Sequence, residues 1–310
     1  MTKEIKKIAV VGTGVIGNGW ISRFLAHGYE VQAFDADSDA PRKTKNAVEN
    51  AWPYLEKLGL AENAEKTNIR FTQSVEEAVK DADYIQENVP EITELKQEVL
   101  REIDRYAKPH AVIGSSTSGI KPSELQEGLT HPGRCIVAHP FNPVYILPLV
   151  EIVGGSKTDQ ATIERSKVFF KKISMKPLVV KKEIEGHIAD RLMEALWREA
   201  LHLVNDGIAT TDEVDDAITY GAGLRWAQMG PFLTFHLAGG DQGMRRMLRQ
   251  FGPTLKLPWT KLEAPELTDE LKEKIITGCE QNAGEQTIKD LENKRDEFLV
   301  NVQNLVSQYN

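Results

Sequence analysis

Residues 6–20 read KKIAVVGTGVIGNGW, and this stretch decides the fold that we expect. The β-branched run at 8–11 predicts a short buried strand, and the glycines after it give the pattern G-x-G-x-x-G at the turn into a helix. Gly12 allows the tight turn, Gly14 lets the backbone approach a pyrophosphate, and Gly17 lets the helix pack closely on the strand. The N-terminus of the helix then faces the phosphates of a dinucleotide.

A second apolar run, EVQAFD at 30–35, completes this unit. Its Asp35 stands 23 positions after Gly12, close to the roughly 20-residue spacing of the acid that hydrogen-bonds the adenosine ribose. A carboxylate there favours NAD over NADP. A glycine-rich turn without a ligand is the alternative, and the second strand with its closing acid weighs against it. We therefore expect NAD as the cofactor, bound by Gly12, Gly14, Val15, Ile16, Gly17 and Asp35.

Composition and length indicate a soluble two-domain enzyme. The 310 residues carry 38 basic and 46 acidic side chains without a basic stripe, so nucleic acid and anionic membranes are poor partners and a small molecule is the better one. No apolar run approaches the roughly 18 residues of a membrane span, and none follows the N-terminal lysines as a signal peptide. Cys135 and Cys279 lie far apart and form no metal-binding cluster. We expect a cytoplasmic protein with no metal site.

Strand and helix patterns alternate through the first part of the chain. Residues 41–58 read as a helix, a long insertion for a plain βαβ unit. Further strand patterns lie at 69–74, 83–90, 110–119, 134–143, 149–155 and 176–182, some running into loops. The alternation predicts an α/β, Rossmann-type, doubly wound and mostly parallel sheet, in which ligands bind beyond the carboxyl ends of the strands.

The pattern changes near Glu183. From 188 to 203 the apolar residues form a helical stripe that ends at Asn-Asp-Gly, and Thr211 or Asp212 then caps a second helix. The remainder predicts helices only. We expect a Rossmann domain with a helical insertion at 1–183 and an all-helical substrate and dimerisation domain at 184–310, since amphipathic helical domains often form a homodimer interface.

Polar residues follow successive strands in the second half of the sheet. Ser118 follows one strand, His139 and Asn142 lie at the end of the next, and Glu151 lies on the strand after that. A histidine can take a hydroxyl proton as hydride leaves the same carbon, and a neighbouring carboxylate fixes its tautomer. Ser118 and Asn142 can hydrogen-bond the substrate oxygen. The pattern indicates hydride-transfer chemistry with His139 as general base.

Three other interpretations compete with this one. An isolated loop histidine is more often satisfied by backbone groups, but the prolines on both sides of Phe141 and Asn142 stiffen this loop. A Ser/His/Glu hydrolase lacks the G-x-S-x-G elbow at Ser118. A non-catalytic, crystallin-like NAD-binding protein would not need the intact set of polar residues.

Taken with the glycine pattern, these residues resemble the 3-hydroxyacyl-CoA dehydrogenase superfamily over almost the whole chain. In that family one loop reads S-N-T-S, the next reads H-x-F-N-P, and a Glu follows, as Ser118, His139, Asn142 and Glu151 do here. The resemblance implies NAD-dependent oxidation of a hydroxyl group. His139 is then the base, Glu151 its partner, and Ser118 and Asn142 the ligands of the substrate oxygen.

The resemblance also places Glu91, Lys96 and Ser116 near the nicotinamide. Two residues depart from the family pattern. Ser116 stands where the family usually has Asn, which changes one contact on the nicotinamide side. Asp190, in HIADRL, also stands in place of Asn and brings a negative charge near the substrate.

The helical part of the sequence narrows the choice among branches of the superfamily. Residues 221–240, GAGLRWAQMGPFLTFHLAGG, are longer and richer in aromatic and cationic residues than the G-A-G-Y-P-M-G-P-F segment of acyl-CoA enzymes. They resemble the branch that oxidises a small trimethylammonium hydroxy acid. The L-gulonate dehydrogenase and lambda-crystallin branch has a comparable Arg–aromatic pair, so that branch and an acyl-CoA substrate stay open.

A trimethylammonium group cannot donate a hydrogen bond, so aromatic faces and a carboxylate should recognise it, at about 0.5–2 kcal/mol per aromatic contact. Core packing is the competing explanation for each aromatic. The expected substrate residues are Phe141, Ile188, Ala189, Asp190, Arg225 and Trp226, with Tyr145, Phe232 and Phe235 as further aromatics and Arg191 as the alternative cation for a carboxylate.

Overall fold

The computed structural model describes residues 4–261, 263, 266 and 268–308. Its chain divides into two compact units, with the division between Arg191 and Leu192. The predicted domain boundary at 183/184 lies a few residues earlier and stays a prediction.

An eight-stranded sheet forms the centre of the first unit. Its strands are β1 (Lys7–Val11), β2 (Glu30–Phe34), β3 (Ile69–Phe71), β4 (Tyr84–Glu87), β5 (Val112–Ser115), β6 (Cys135–Pro140), β7 (Leu149–Gly154) and β8 (Lys176–Val180). Their order is β3-β2-β1-β4-β5-β6-β7-β8, and every neighbouring pair is parallel except β6 and β7. The expected mostly parallel, doubly wound sheet is confirmed.

Helices cover both faces of this sheet. They are α1 (Val15–Ala26), α2 (Ala40–Leu58), α3 (Val75–Val79), α4 (Thr93–Tyr106), α5 (Pro122–Leu125) and α6 (Gln160–Lys172). Strand β1 shows why both faces are apolar. Ile8 and Val10 join one buried cluster while Ala9 and Val11 join the other, because successive side chains of a strand point to opposite faces.

Close packing at the first turn requires glycine at two of the positions in the motif. Gly12 has φ +88°, and a Cβ there would lie 2.7 Å from the carbonyl carbon of Asn88. A Cβ on Gly17 would lie 2.0 Å from the carbonyl oxygen of Gly12. The turn therefore lies between β1 and β4, where the strand order reverses and ligands of such sheets bind.

The described part of the second unit is helical. Its helices are α7 (Ala189–Asn205), which starts in the first unit, α8 (Thr211–Ala217), α9 (Gly223–Trp226), α10 (Pro231–Ala238), α11 (Gly243–Phe251), α12 (Asp269–Ala283) and α13 (Ile288–Val306). Within the described residues, no helix has the length and apolarity needed to cross a membrane.

The predicted cap of α8, Thr211 or Asp212, is wrong by one or two residues. Thr210 is the N-cap, since its hydroxyl accepts from the Glu213 N–H while the Glu213 carboxylate accepts from the Thr210 N–H. Only this register gives both bonds of a capping box, so Thr211 and Asp212 fall inside the helix.

Candidate active site

The antiparallel pairing of β6 with β7 brings a histidine and a carboxylate together. His139 lies opposite Glu151 in the register, and its Nδ1 is 3.0 Å from Glu151 Oε2. The two residues are 4% and 0% exposed. An ionised carboxylate only accepts, so Nδ1 carries the proton and Nε2 keeps a lone pair. That lone pair is directed to Ser118, whose Oγ lies 3.2 Å away.

The N-terminus of α7 holds the other oxygen of Glu151. The backbone N–H groups of Ile188 and Ala189 donate to Oε1 at 2.9 and 3.1 Å. Burial raises the pKa of Glu151, but the bonds from His139 and these two N–H groups outweigh it and hold the pKa below its ordinary value. Ile188 and Ala189, expected as substrate residues, therefore act here through their backbone; a role for their side chains stays a prediction.

Two further residues predicted for the substrate lie beside the imidazole. Asp190 Oδ2 is 3.5 Å from His139 Nε2, so carboxylates flank both ring nitrogens. The Phe141 ring packs edge-on against the imidazole with 5.5 Å between centroids. Asn142 is exposed, and none of the hydrogen bonds described at this site involves its side chain. Its contact with a substrate oxygen stays a prediction.

His187 is a buried neighbour that the sequence analysis missed. Its ring lies 5.3 Å from that of His139, and its Nε2–H donates to the Thr117 carbonyl at 3.3 Å. Burial lowers the pKa of His187, so its imidazole is neutral at neutral pH. The residue precedes α7 at φ +45°, and no apolar periodicity marks it in the sequence.

The loop that carries Ser118 is held by Glu91. One Glu91 oxygen accepts from the N–H groups of Ser118 and Gly119, both at 3.1 Å, and from the Thr117 hydroxyl. Burial raises the pKa of Glu91, but these bonds and the nearby Lys96 lower it to a net value below the ordinary one. Glu91 thus links the end of β4 to the loop that carries Ser118.

Lys96 is buried and fully engaged. Its Nζ lies 2.9 Å from Glu87 Oε1, 2.9 Å from the Val89 carbonyl and 3.5 Å from Glu91 Oε2, three acceptors for three protons. Burial keeps the pKa of Glu87 above its ordinary value despite the positive charge of Lys96. Of this group Glu91 is the most exposed, and the cofactor roles of Glu91 and Lys96 stay predictions.

The hydroxyl group of Ser116 also makes all the hydrogen bonds that it can. Its Oγ accepts from Trp20 Nε1 at 3.0 Å and from Gln86 Nε2 at 2.7 Å, and it donates to Asn88 Oδ1 at 2.7 Å. A hydroxyl has one donor and two acceptor positions, and all three are used. The expected contact between this hydroxyl and the nicotinamide would have to replace one of these bonds.

The glycine turn and the end of β2 suit a dinucleotide. Among the residues that the structure describes, none lies within 4 Å of a Cβ added to Gly14, and no side chain caps the first N–H groups of α1. Those amides can bind a pyrophosphate. Asp35 is fixed at the end of β2 by the Thr13 N–H and hydroxyl, at 2.6 and 2.9 Å, and by the Asp37 N–H at 2.9 Å. These residues fit NAD.

The remaining predicted residues lie elsewhere in the chain. Arg225 and Trp226 end the short helix α9 of the helical unit, where Trp226 is 42% exposed. Phe232 and Phe235 are exposed on α10. Their contribution to a substrate site stays a prediction. Within the described residues, no three His, Cys, Asp or Glu side chains are grouped to hold a metal ion.

Comparisons with known proteins identify the class. The model of the 3-hydroxyacyl-CoA dehydrogenase NAD-binding domain matches residues 7–184, and the model of the C-terminal domain matches 186–278. The chain belongs to the 3-hydroxyacyl-CoA dehydrogenase family. It is an NAD-dependent dehydrogenase that acts on a CH–OH group, as the sequence analysis predicted.

The most informative relatives are similar over almost their whole length. The chain is 67% identical to the L-carnitine dehydrogenase of Oceanobacillus iheyensis, over 98% of this chain and 99% of that protein. It is 56% identical to the L-carnitine dehydrogenase of Pseudomonas putida, over 96% and 93% of the two chains.

Solved structures share the fold at lower identity. An NAD-dependent 5-formyl-3-hydroxy-2-methylpyridine 4-carboxylic acid 5-dehydrogenase superposes with a TM-score of 0.82 at 28% identity, over 98% of this chain and 99% of that chain. The (S)-3-hydroxybutyryl-CoA dehydrogenase of Ralstonia eutropha gives 0.67 at 25% identity, over 89% and 95%.

Proposed function

We propose that the protein oxidises the 3-hydroxyl group of L-carnitine to give 3-dehydrocarnitine. The observation that carries this proposal is the position of Asp190, 3.5 Å from Nε2 of His139. In L-carnitine the trimethylammonium nitrogen is one methylene away from the hydroxyl carbon. A carboxylate beside the base is therefore within reach of that cation, and the similarity to L-carnitine dehydrogenases supports the same substrate.

The proton of the substrate hydroxyl goes to His139. Glu151 keeps the imidazole proton on Nδ1, so the Nε2 lone pair is available as general base. Ser118, 3.2 Å from Nε2, hydrogen-bonds the same substrate oxygen, and Asn142 is the proposed second ligand. When bound, NAD accepts the hydride from the substrate carbon. The amides of α1 and the turn at Gly12 and Gly14 would hold its phosphates.

The imidazolium that forms lies between two carboxylates. Glu151 faces Nδ1 and Asp190 faces Nε2, so the three groups together keep a net negative charge after proton transfer. A trimethylammonium group complements that charge. At a separation of about 5 Å and an effective dielectric constant of about 20, such an attraction is on the order of 3 kcal/mol. Phe141 beside the imidazole adds an aromatic surface.

A substrate panel tests the proposal. NAD reduction is measured with L-carnitine, L-gulonate and a 3-hydroxyacyl-CoA. We expect the highest kcat/KM with L-carnitine. Activity on one of the others without activity on L-carnitine would refute the substrate and leave the dehydrogenase class unchanged.

A neutral isostere tests the role of Asp190. A tert-butyl group in place of trimethylammonium removes the attraction to the carboxylates, on the order of 3 kcal/mol, and the cation–π contacts. Since about 1.4 kcal/mol corresponds to a factor of ten, KM should rise about ten-fold or more. Asp190→Asn should bring the KM values of L-carnitine and the tert-butyl compound closer together, and it should leave the KM for NAD within about two-fold of that of the unmodified enzyme. Asp269→Asn, at an exposed carboxylate on α12, is the matched control. Equal use of both compounds by the unmodified enzyme excludes an electrostatic ammonium site.

We also propose that the helical unit, placed at 184–310 by the sequence analysis, mediates a homodimer. An apolar groove of about 380 Å³ in this unit is lined by Met193, Leu196, Trp197 and neighbouring residues. Light scattering should give twice the chain mass, and Trp197→Glu should give the monomer if the groove is the interface; a monomeric unmodified protein excludes the dimer. A cytoplasmic location remains an expectation from the sequence.

A further inference from the structure

We propose that Arg23 is a positioning residue that fixes the active-site segment 141–148 on α1, the helix that begins at the dinucleotide turn. This segment joins β6, with His139, to β7, with Glu151, and it contains Phe141 and Asn142. The proposed function assigns no role to Arg23.

Arg23 is a buried cation surrounded by backbone carbonyls. It is 3% exposed. Its Nε donates to the Val144 carbonyl at 2.8 Å, and Nη2 donates to the carbonyls of Ile146 and Leu147, both at 3.1 Å. Nη1 donates to the Ile173 carbonyl at 3.1 Å. Three of these four acceptors thus belong to the active-site segment.

These carbonyls are at the C-terminal ends of two helical turns. In the segment, the N–H groups of Ile146 and Leu147 both donate to the Pro143 carbonyl, which closes a turn. Ile173 is the C-cap of α6. Carbonyls at such ends lack partners within the helix and carry partial negative charge, so a planar guanidinium with five donors suits them. Burial lowers the pKa of Arg23 to about 10, which leaves it charged at neutral pH.

A second contact shows how closely α1 approaches the segment. A Cβ added to Gly19, four residues before Arg23, would lie 2.8 Å from Val144 Cβ. The glycine lets the segment lie directly on the helix, and the guanidinium then anchors its backbone. The helix that presents its N-terminus to the phosphates therefore also fixes the segment between the catalytic base and its carboxylate.

Loss of Arg23 should loosen the catalytic geometry more than cofactor binding. A misplacement of about 1 Å at a reacting group can cost on the order of 100-fold in rate. Arg23→Met removes all four bonds and Arg23→Lys keeps the charge but not the planar donor set. Arg42→Met is the matched control, because Arg42 is exposed on α2 and pairs with Asp39, the residue before that helix.

The test combines amide hydrogen exchange with ligand binding and kinetics. For both Arg23 variants we expect exchange at 141–148 to accelerate about ten-fold or more, kcat with L-carnitine to fall about ten-fold or more, and the NADH dissociation constant to stay within about two-fold. Arg42→Met should match the unmodified protein in all three. Arg23→Lys should lose less than Arg23→Met.

Three results would overturn the proposal: unchanged exchange at 141–148 in folded variants, a parallel loss of NADH affinity and of protection throughout the first unit, or failure of both variants to fold. The last two would make Arg23 a general stability residue. The kinetic part rests on the proposed function, whereas the exchange part does not. Failure of the unmodified enzyme to oxidise L-carnitine therefore refutes the substrate and leaves exchange to decide the role of Arg23.

Discussion

Replacing Glu151 by glutamine tests how the carboxylate controls the tautomer of His139. Glutamine has nearly the same shape, and its amide oxygen is the group that can accept from the N–H groups of Ile188 and Ala189. Its NH₂ group then turns toward Nδ1 of His139. Because that NH₂ donates, Nδ1 must accept, and the imidazole proton moves to Nε2. The atom that must take the substrate proton is then already protonated.

The geometry gives the size of the effect. Unit charges 3.0 Å apart, the distance between His139 Nδ1 and Glu151 Oε2, attract by about 5 kcal/mol at an effective dielectric constant of about 20. At about 1.4 kcal/mol per factor of ten, this corresponds to between 10³ and 10⁴ in rate, roughly. Asp190 still faces Nε2, so it stabilises the imidazolium charge and offsets part of the Coulomb loss, although it also favours the unproductive tautomer with the proton on Nε2. We therefore expect kcat to fall by about 10² to 10⁴, the usual range for general-base assistance.

Steady-state NAD reduction measures this effect, with the NADH dissociation constant and the thermal melting of each variant determined alongside. Glu164→Gln is the matched control, since Glu164 is an exposed carboxylate on α6 that pairs with Lys167. The NADH affinity of Glu151→Gln should equal that of the unmodified enzyme. A kcat within about three-fold of the unmodified value, in a folded protein, would refute the tautomer argument.

Three further predictions follow from the same site. His139→Ala should lower kcat by about 10² to 10⁴ at unchanged NADH affinity, whereas His131→Ala, at an exposed histidine, should not; equal turnover would exclude His139 as base. Asp35→Ala should lower the ratio of kcat/KM with NAD to kcat/KM with NADP, because the substitution removes the charge that repels a 2′-phosphate. An unchanged ratio would contradict this role of Asp35. The pKa of Glu151 is lower in the folded protein than its ordinary value of 4.5. Between these two pKa values the unfolded chain binds more protons than the folded protein, so the stability that ionised Glu151 contributes is lost as the pH falls through the folded pKa. The melting-temperature difference between the unmodified protein and Glu151→Gln should therefore shrink on acidification, and a pH-independent difference would contradict it.

The residues near the N-terminus allowed the fold to be predicted from the sequence alone. Gly12 has a positive φ, and a Cβ on Gly17 would clash with the carbonyl oxygen of Gly12, so sterics between near neighbours favour glycine at both positions. The lack of room for a Cβ on Gly12, in contrast, comes from Asn88, which lies far away in the sequence. The alternation of strands with helices likewise follows from periods of two and 3.6 residues. Apart from the contact with Asn88, these are short-range effects, and a short window of sequence contains all the atoms that cause them.

Only the tertiary structure shows the register of the strand pairs and which polar groups already have all their hydrogen bonds. The sequence placed His139 and Glu151 on neighbouring strands, but only the antiparallel pairing of β6 and β7 puts them opposite each other. Trp20 and Gln86, 96 and 30 positions away in the chain, donate hydrogen bonds to the Ser116 hydroxyl, and no local pattern indicates these bonds. The expected contact of Ser116 with the cofactor stays a prediction.

The physical difference is the range of the interactions. The sequence alone was enough to predict the glycine turn and the alternating strands and helices, because backbone sterics and side-chain periodicity act between near neighbours. The roles of Asp35 and of the polar residues around His139 stay predictions. The tertiary structure decides which polar side chains hydrogen-bond one another and which of them can also bind a ligand. The guanidinium of Arg23 shows this most clearly, since its four carbonyl partners lie 121 to 150 positions away and no local pattern distinguishes them from other carbonyls. Folding brings such groups out of water together, and each buried polar group must then find a partner wherever the chain supplies one.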